Sequence, residues 1–482
     1  ASRFSDRKAR YLPWPDAALI GGQRTEGVMS LQEYRAFVES KTHLAGDFGF
    51  KPVYDNPHLY DFQRHLIDWA LTKGRGATFA DCGLGKTLMQ LVWAENVHRH
   101  TNKPVLILAP LSVSSQTVEE AEKFGIEAHR SADGTIPNGK GIITTNYERL
   151  QHFDLNQFGG IVCDESSILK NFDGKIRNHI TRAMRKVKFR GMYTATPSPN
   201  DYTELGTSSE ALGDMAYMDM LQTFFKSNDD TLHPAHIGQQ WRFKGHAEPH
   251  FWRWVASWAR AVRKPSDLGF DDAGWNLPEL IEQHHVIESK PLDGQLFAMP
   301  VRGLPMEREE RKATITERCD LASELLTQHD CGVAWCHFNA EADYLTEIIP
   351  EAVNLQGSDK DEAKEEKFRA FRSGEIKYLV TKPKIAALGV NWQHCAACTY
   401  FDDYSYEQYY QAVRRFWRFG QKRAVTVHQI GTTSLANVAS SRARKAEAAD
   451  QMFQQMMEHM VNAQQHRKIF GHGNEPQMPA WL

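Results

Sequence analysis

Residues 77–80 form a short strand-like run that leads directly into Asp81-Cys82-Gly83-Leu84-Gly85-Lys86-Thr87, and a helix-forming stretch follows over 88–96. That order restricts the fold more than any other feature of the chain. Glycines after a strand let backbone N–H groups curl around phosphate oxygens, and the helix start adds its positive dipole end. A lysine then neutralises β/γ charge and a threonine hydroxyl takes Mg²⁺. A chance Gly-Lys-Thr turn has no reason to carry both the strand and the helix. The spacing therefore predicts that Ala80, Asp81, Cys82, Gly83, Leu84, Gly85, Lys86 and Thr87 bind a nucleoside triphosphate, with Thr87 on the metal.

A phosphate loop of this kind requires a parallel α/β sheet around it, and the text supplies one. Strand-like runs recur at 105–109, 141–144, 160–163 and 191–194, separated by helical stretches. The rhythm breaks between 213 and 275, where Trp241, Trp252, Trp254, Trp258 and Trp275 crowd an aromatic, His-rich segment. It resumes with runs at 331–336, 352–355, 378–381, 398–401 and 424–430, and with helices at 341–349 and 360–372. The expected organisation is an N-terminal extension (1–50), a first domain (51–212), an aromatic-rich helical insertion (213–275), a second α/β domain (276–439), and a C-terminal helix and tail (440–482). A helix is also expected to begin near Ser30.

A bound triphosphate needs a metal-fixing carboxylate and a base that orients water. Ile161-Val162-Cys163-Asp164-Glu165 ends an apolar strand in two acids, 78 residues after Lys86. Acids at the carboxyl end of a strand point into the crevice where α/β ligands bind. Asp164 is therefore expected to coordinate Mg²⁺ and Glu165 to act as general base.

With these residues in view, the chain resembles a superfamily-two helicase or translocase of the Swi/Snf-type branch, in a compact bacteriophage- or prophage-like form, over about 59–429. The resemblance implies two RecA-like domains and a set of ordered motifs. Tyr60-Asp61-Phe62-Gln63 is similar to the upstream glutamine motif, which would place Gln63 on adenine. Ala109-Pro110-Leu111-Ser112 and Thr144-Thr145-Asn146-Tyr147-Glu148 resemble motifs Ia and Ib, and Lys384 to Asn391 resembles motif V. These imply nucleic-acid contacts at Ser112, Thr144, Thr145, Asn146, Lys384 and Asn391.

Asp164-Glu165-Ser166-Ser167, trailed by Leu169-Lys170-Asn171, is similar to motif II. Thr194-Ala195-Thr196-Pro197 resembles motif III, which implies that Thr194 and Thr196 couple the domains. Gln411 through Gln421, QAVRRFWRFGQ, resembles motif VI and implies that Gln411 meets the nucleotide. The chain departs from the branch in a phosphate loop shorter by one residue, in Ser167 where histidine is usual, and in Ala386 and Ala387 where glycines are usual.

Arg415 and Arg418 are three apart, so a helix would show both on one face, across the cleft from Lys86. Permanently charged bidentate guanidinium groups suit the charge that develops on a γ-phosphate, and such a finger contributes about 10³ to 10⁵ in rate. The catalytic set is thus Lys86, Glu165, Arg415 and Arg418.

With 57 Lys and Arg against 60 Asp and Glu the net charge is −3, so a nucleic-acid surface has to be local. The expected helix over 175–190, carrying Arg177, Arg182, Arg185, Lys186, Lys188 and Arg190, is either that surface or a solvated face. In the aromatic segment Phe251, Val255, Trp258 and Val262 recur at helical spacing, which favours core packing over base stacking. The Cys395/Cys398 pair has no second pair at zinc spacing. His284-His285 reads as part of a strand, and Met452, Met456, Met457 and Met460 read as the buried stripe of a tail helix.

The expected function is a DNA-dependent ATPase motor using ATP and Mg²⁺ to translocate on DNA, duplex first, with RNA left open. Two rivals stay open: an unwinding helicase on a single-stranded or RNA track within a larger complex, and an ATP-gated nucleic-acid clamp without turnover. No apolar run reaches the roughly 18 residues of a membrane span, and seven scattered cysteines do not form a disulfide framework, so a cytoplasmic setting is expected.

Overall fold

The structure is a computed structural model that describes residues 45–139, 141–170, 174–227, 241–289, 304–386 and 390–470. The helix expected near Ser30, together with Asn171 and residues 387–389, lies outside them.

The first lobe is built in the order α1 (Asp61–Lys73), β1 (Arg75–Ala80), α2 (Lys86–Thr101), β2 (Val105–Ala109), α3 (Leu111–Lys123), β3 (Ala128–Arg130), β4 (Ile142–Asn146), β5 (Gly160–Asp164), α4 (Lys175–Lys186), β6 (Phe189–Tyr193) and α5 (Leu205–Leu212). The chain continues through α6 (Tyr217–Phe224), a two-stranded ribbon β7 (Phe225–Ser227) and β8 (Trp241–Phe243), α7 (Ala247–Trp258) and β9 (Ala259–Val262). Seven strands form one sheet in the order β3-β4-β2-β5-β6-β1-β9, with every pair parallel. Such a sheet is covered on both faces, and its strands read as continuous apolar runs. In β2, Leu106 and Leu108 enter the core on one face while Val105 and Ile107 enter the core on the other.

The aromatic segment is part of this lobe. Ala259–Val262 pairs with β1 as the seventh strand, and Phe251, Trp252, Trp254, Val255 and Trp258 are buried in the core shared with Phe79 and Met192. The expectation of an inserted helical subdomain over 213–275 differs from this at β9, a strand created by its partner rather than by its own pattern.

Residues 263–279 lead to the second lobe. It comprises β10 (Leu280–Ile287), α8 (Leu304–Ala313), α9 (Ile315–Leu326), β11 (Gly332–Trp335), α10 (Asn339–Ile348), β12 (Ala352–Leu355), α11 (Asp361–Ser373), β13 (Tyr378–Thr381), α12 (Pro383–Ala386), β14 (Ala397–Phe401), α13 (Tyr406–Val413) and β15 (Val425–Thr432). Its six strands are also all parallel, in the order β10-β15-β14-β11-β13-β12. The tandem α/β architecture is as expected.

A final helix, α14 (Ala436–Phe470), leaves the second lobe and returns to the first. Met452, Phe453, Met456 and Met460 are buried in the first lobe's core, while Met457 is only partly covered. Arg263, directly after β9, pairs with Asp450 at 2.6 Å.

Two local expectations are corrected. The helix expected over 175–190 stops at Lys186, and Phe189 and Arg190 belong to β6, because the run VKFRGMY pairs with β1 and β5. The helix expected to carry Arg415 and Arg418 ends at Val413. Beyond it, i→i−3 bonds from Arg415 N to Ala412 O and from Phe416 N to Val413 O tighten the chain into turns.

Candidate active site

The phosphate loop lies between β1 and α2. Gly83 and Gly85 adopt φ of 89° and 77°, which L side chains rarely take. Space gives a second reason for glycine: a Cβ on Gly85 would fall 2.3 Å from Gln63 Nε2, and one on Gly83 would fall 2.8 Å from Phe419 N. Lys86 Nζ donates to Ala80 O at 3.0 Å and to Asp81 O at 3.4 Å, so its head lies inside the loop. Gln63 Nε2 donates to Leu84 O at 2.8 Å and its Oε1 accepts from Tyr60 N at 3.1 Å. Gln63 therefore braces the loop backbone in this arrangement.

The two acids sit at the end of β5. Gln90, one turn beyond Lys86 on α2, donates from Nε2 to Asp164 Oδ1 at 2.5 Å. The Tyr147 hydroxyl donates to the Asp164 carbonyl oxygen. Burial first, and then the adjacent Glu165, push the Asp164 carboxyl up to about 7. Glu165 has φ of 50°, a left-handed conformation uncommon for a side-chain-bearing residue and typical of strain held at a site. Thr194, following β6, donates from Oγ1 to Glu165 Oε2, and Thr196 N donates back to Thr194 Oγ1.

The second lobe closes on this loop. Gln411 Nε2 donates to Thr196 Oγ1 at 3.4 Å. Arg415 Nε donates to Gln411 O at 2.9 Å and its Nη2 lies 3.9 Å from Cys82 Sγ. Arg418 is half-buried with its Cβ against Gly83, and its covered Nε has no hydrogen-bond partner among the described residues. Burial and the neighbouring Arg415 lower its pKa to about 10. Trp275, from the connection between lobes, stacks on Phe419 with centroids 4.1 Å apart.

Arg415 and Arg418 against the loop, Lys86 Nζ inside it and glycines that leave its backbone bare make a donor set suited to a polyanion. Thr87 and Asp164 add the oxygen ligands that Mg²⁺ prefers. The residues present thus fit a nucleoside triphosphate and its metal.

A cavity of about 520 Å³ opens between the lobes, lined among others by Glu165, Lys170, Lys384, Glu407 and Gln411. Lys170 and Glu407 pair across it. The residues expected on nucleic acid do not form one surface here. Thr144 and Thr145 are buried in β4, and Asn146 Oδ1 accepts from Arg149 N, capping a turn. Ser112 lies in the first turn of α3, Lys384 is exposed on α12, and Asn391 borders a second cavity lined by residues of both lobes, Gln116 and Trp392 among them. Of the basic residues over 175–190, Lys175, Arg182, Arg185, Lys186 and Lys188 are exposed. Arg177 is buried and paired with Glu210, and Arg190 is buried, donating to the carbonyls of Val187, Leu212 and Arg185. Cys395 and Cys398 are buried free thiols.

Sequence reasoning missed Arg414 and Tyr410, which reach Asp81 from the second lobe. Arg414 stands inside the quoted QAVRRFWRFGQ run, so its charge was visible, but its partner lies 333 residues away.

Residues 317–420 match the helicase conserved C-terminal domain family. Protein p41 of Acyrthosiphon pisum secondary endosymbiont phage 1 is 30% identical over 168 residues, 30% of this chain and 36% of that protein, so the chain spans about a third of that relative's length. Among solved structures, the Sulfolobus solfataricus SWI2/SNF2 ATPase core in complex with dsDNA is 18% identical with a TM-score of 0.41, covering 87% of this chain and 98% of that one. A Saccharomyces cerevisiae Dbp5 variant bound to RNA and ADP-BeF3 is 12% identical with a TM-score of 0.54, covering 83% and 93%, a likeness of fold.

Residues 317–420 of the second lobe thus match a helicase C-terminal domain, and the two parallel α/β lobes share a tandem RecA-like fold. Among the described residues no helix is long and apolar enough to cross a membrane.

Proposed function

We propose that the chain is a DNA-dependent ATPase motor that couples ATP hydrolysis to translocation on duplex DNA. The observation that carries this reading is the composite site: Arg415 and Arg418 of the second lobe lie against Cys82 and Gly83 of the first lobe's phosphate loop. A site completed by two bodies links chemistry to their relative position, and that linkage is what a motor needs.

In this reading the loop N–H groups and Lys86 bind the phosphates of ATP. Thr87 and Asp164 would hold Mg²⁺, which neutralises phosphate charge when bound. Glu165, oriented by Thr194, takes the proton of the attacking water, and Arg415 and Arg418 stabilise charge on the transferred phosphoryl group. Gln63 sets the loop's shape and contacts the base. Thr196 and Gln411 relay between lobes. The choice of duplex DNA rests on the likeness of the QAVRRFWRFGQ run to the Swi/Snf-type branch.

The test is ATP hydrolysis with covalently closed duplex circles, single-stranded DNA and RNA, each over a range of salt. Stimulation by the closed circle is the expected result. Stimulation by single strands alone would replace it with the unwinding reading. Hydrolysis unchanged in Glu165→Gln, or absent with every polymer, would remove the motor and leave a clamp.

A further inference from the structure

Asp81 belongs to the phosphate loop but commits its carboxylate to the opposite lobe. Oδ2 accepts from Arg414 Nη2 at 2.7 Å, and Oδ1 accepts from the Tyr410 hydroxyl and from Cys82 N, the latter at 2.6 Å. The two charged side chains are 7% and 10% exposed. The Arg414 guanidinium also lies over the Trp417 ring, 4.4 Å from its centroid. Burial works against the charge on Arg414, yet Asp81 and Tyr410 hold its pKa above the usual value.

With both oxygens already engaged by donors, Asp81 has little capacity left for a metal or a water, so a chemical role does not suit it. Its placement suits a mechanical one. Arg414 directly precedes Arg415, and the turn it opens lies on the loop through Arg418 and Phe419. Buried ion pairs add little net stability but can fix one register among several.

We propose that Asp81 and Arg414 form an interlobe latch, a pair of positioning residues that sets the turn over 414–419 so that Arg415 and Arg418 face the phosphate loop. The arginines then arrive through contact between lobes and do not depend on attraction to the nucleotide alone. This rests on the ATPase reading above.

The experiment is steady-state ATP hydrolysis at saturating polymer for the full chain and for Asp81→Asn, Arg414→Gln, Arg414→Lys and the Asp81→Asn/Arg414→Gln double variant, with Lys86→Ala as reference. Each neutralising single variant is expected to lose roughly 10- to 100-fold in kcat, as misplaced catalytic groups do. KM for ATP should stay within about threefold, since substrate contacts are kept. The double variant should be no worse than the poorer single one, and Arg414→Lys should recover part of the loss. Small-angle scattering without nucleotide should show a wider particle for Arg414→Gln than for the parent.

Unchanged kcat, a rise in KM alone, or losses that multiply in the double variant would overturn the latch. If Lys86→Ala abolishes hydrolysis while the latch variants match the parent, only the latch fails. If the parent does not hydrolyse ATP, or Lys86→Ala is indifferent, the ATPase reading fails and takes the latch with it. Should Arg414→Gln not fold, Arg414→Lys decides through the same kcat and KM comparison.

Discussion

Thr194 Oγ1 and Glu165 Oε2 are joined by a hydrogen bond of 3.1 Å that ties the carboxyl ends of two adjacent strands. The carboxylate is thereby aimed by a hydroxyl that also accepts from Thr196 N. Thr194→Val keeps the shape and removes the donor. A hydrogen bond to a charged group contributes about 1.5–3 kcal/mol, so kcat should fall about tenfold or more with KM for ATP little changed. Thr194→Ser should retain most activity. Steady-state kinetics on both variants checks this, and equal rates would remove the orienting role.

Asp164 gives a pH dependence of stability. Its carboxyl stands at about 7 in the folded chain against 3.8 for the free group, through burial and then Glu165. Between those values the folded chain keeps a proton that the unfolded chain has released, so stability falls as pH rises. The contribution is complete below about pH 4 and spent above pH 7. Asp164→Asn cannot ionise. In metal-free buffer it should melt close to the parent near pH 4 and progressively above it up to pH 7, by about 2–4 °C per kcal/mol regained, while losing hydrolysis. A melting difference that is constant from pH 5 to 8 would contradict the assignment.

On α4 and the residues after it, exposed and buried cations should separate in two measurements. Arg182→Gln and Arg185→Gln should each lower the slope of log affinity against log salt by about 1 if the helix follows a phosphate backbone. Arg190→Gln should leave that slope alone. It should instead cost about 1–3 kcal/mol in urea denaturation, because the buried carbonyls of Val187 and Leu212 and the part-buried one of Arg185 lose their donor. An unchanged slope in the first two variants would move the track elsewhere.

Met456→Ala should cost about 2–4 kcal/mol, the range for emptying a buried methionine site. The loss should appear in the first lobe although the residue follows the second in sequence. Hydrogen exchange on β1 and β9 against β13 reads this directly.

How much of this was legible depends on whether the cause is local. Val105–Ala109 and Tyr378–Thr381 were readable to the residue because strands inside a parallel sheet, covered on both faces, are largely apolar runs. The phosphate loop and Asp164-Glu165 were equally plain, since spacing within a few residues carries their chemistry. Ala128–Arg130 and Ala259–Val262 were missed because they sit at the two edges of the first sheet and become strands only by pairing with β4 and β1. Arg190 was read as helical because the basic periodicity continues past Lys186, although the sheet claims the residue. The pairing of Asp81 with Arg414 is invisible for a different reason: no local pattern marks which of many charges will meet after closure.

The path of α14 limits how the lobes can part. A body attached at one point can swing in any direction, whereas one attached at two turns only about the line between them. Residues 263–279 give the first attachment. The second is a rod of 35 residues, about 50 Å long, rooted by Arg442 on Asp402 and embedded along its middle through Met452, Phe453, Met456 and Met460. Opening by simple separation would have to strip those side chains from the first core, so the permitted excursion is a torsion around a fixed axis, with the rod acting as its spring.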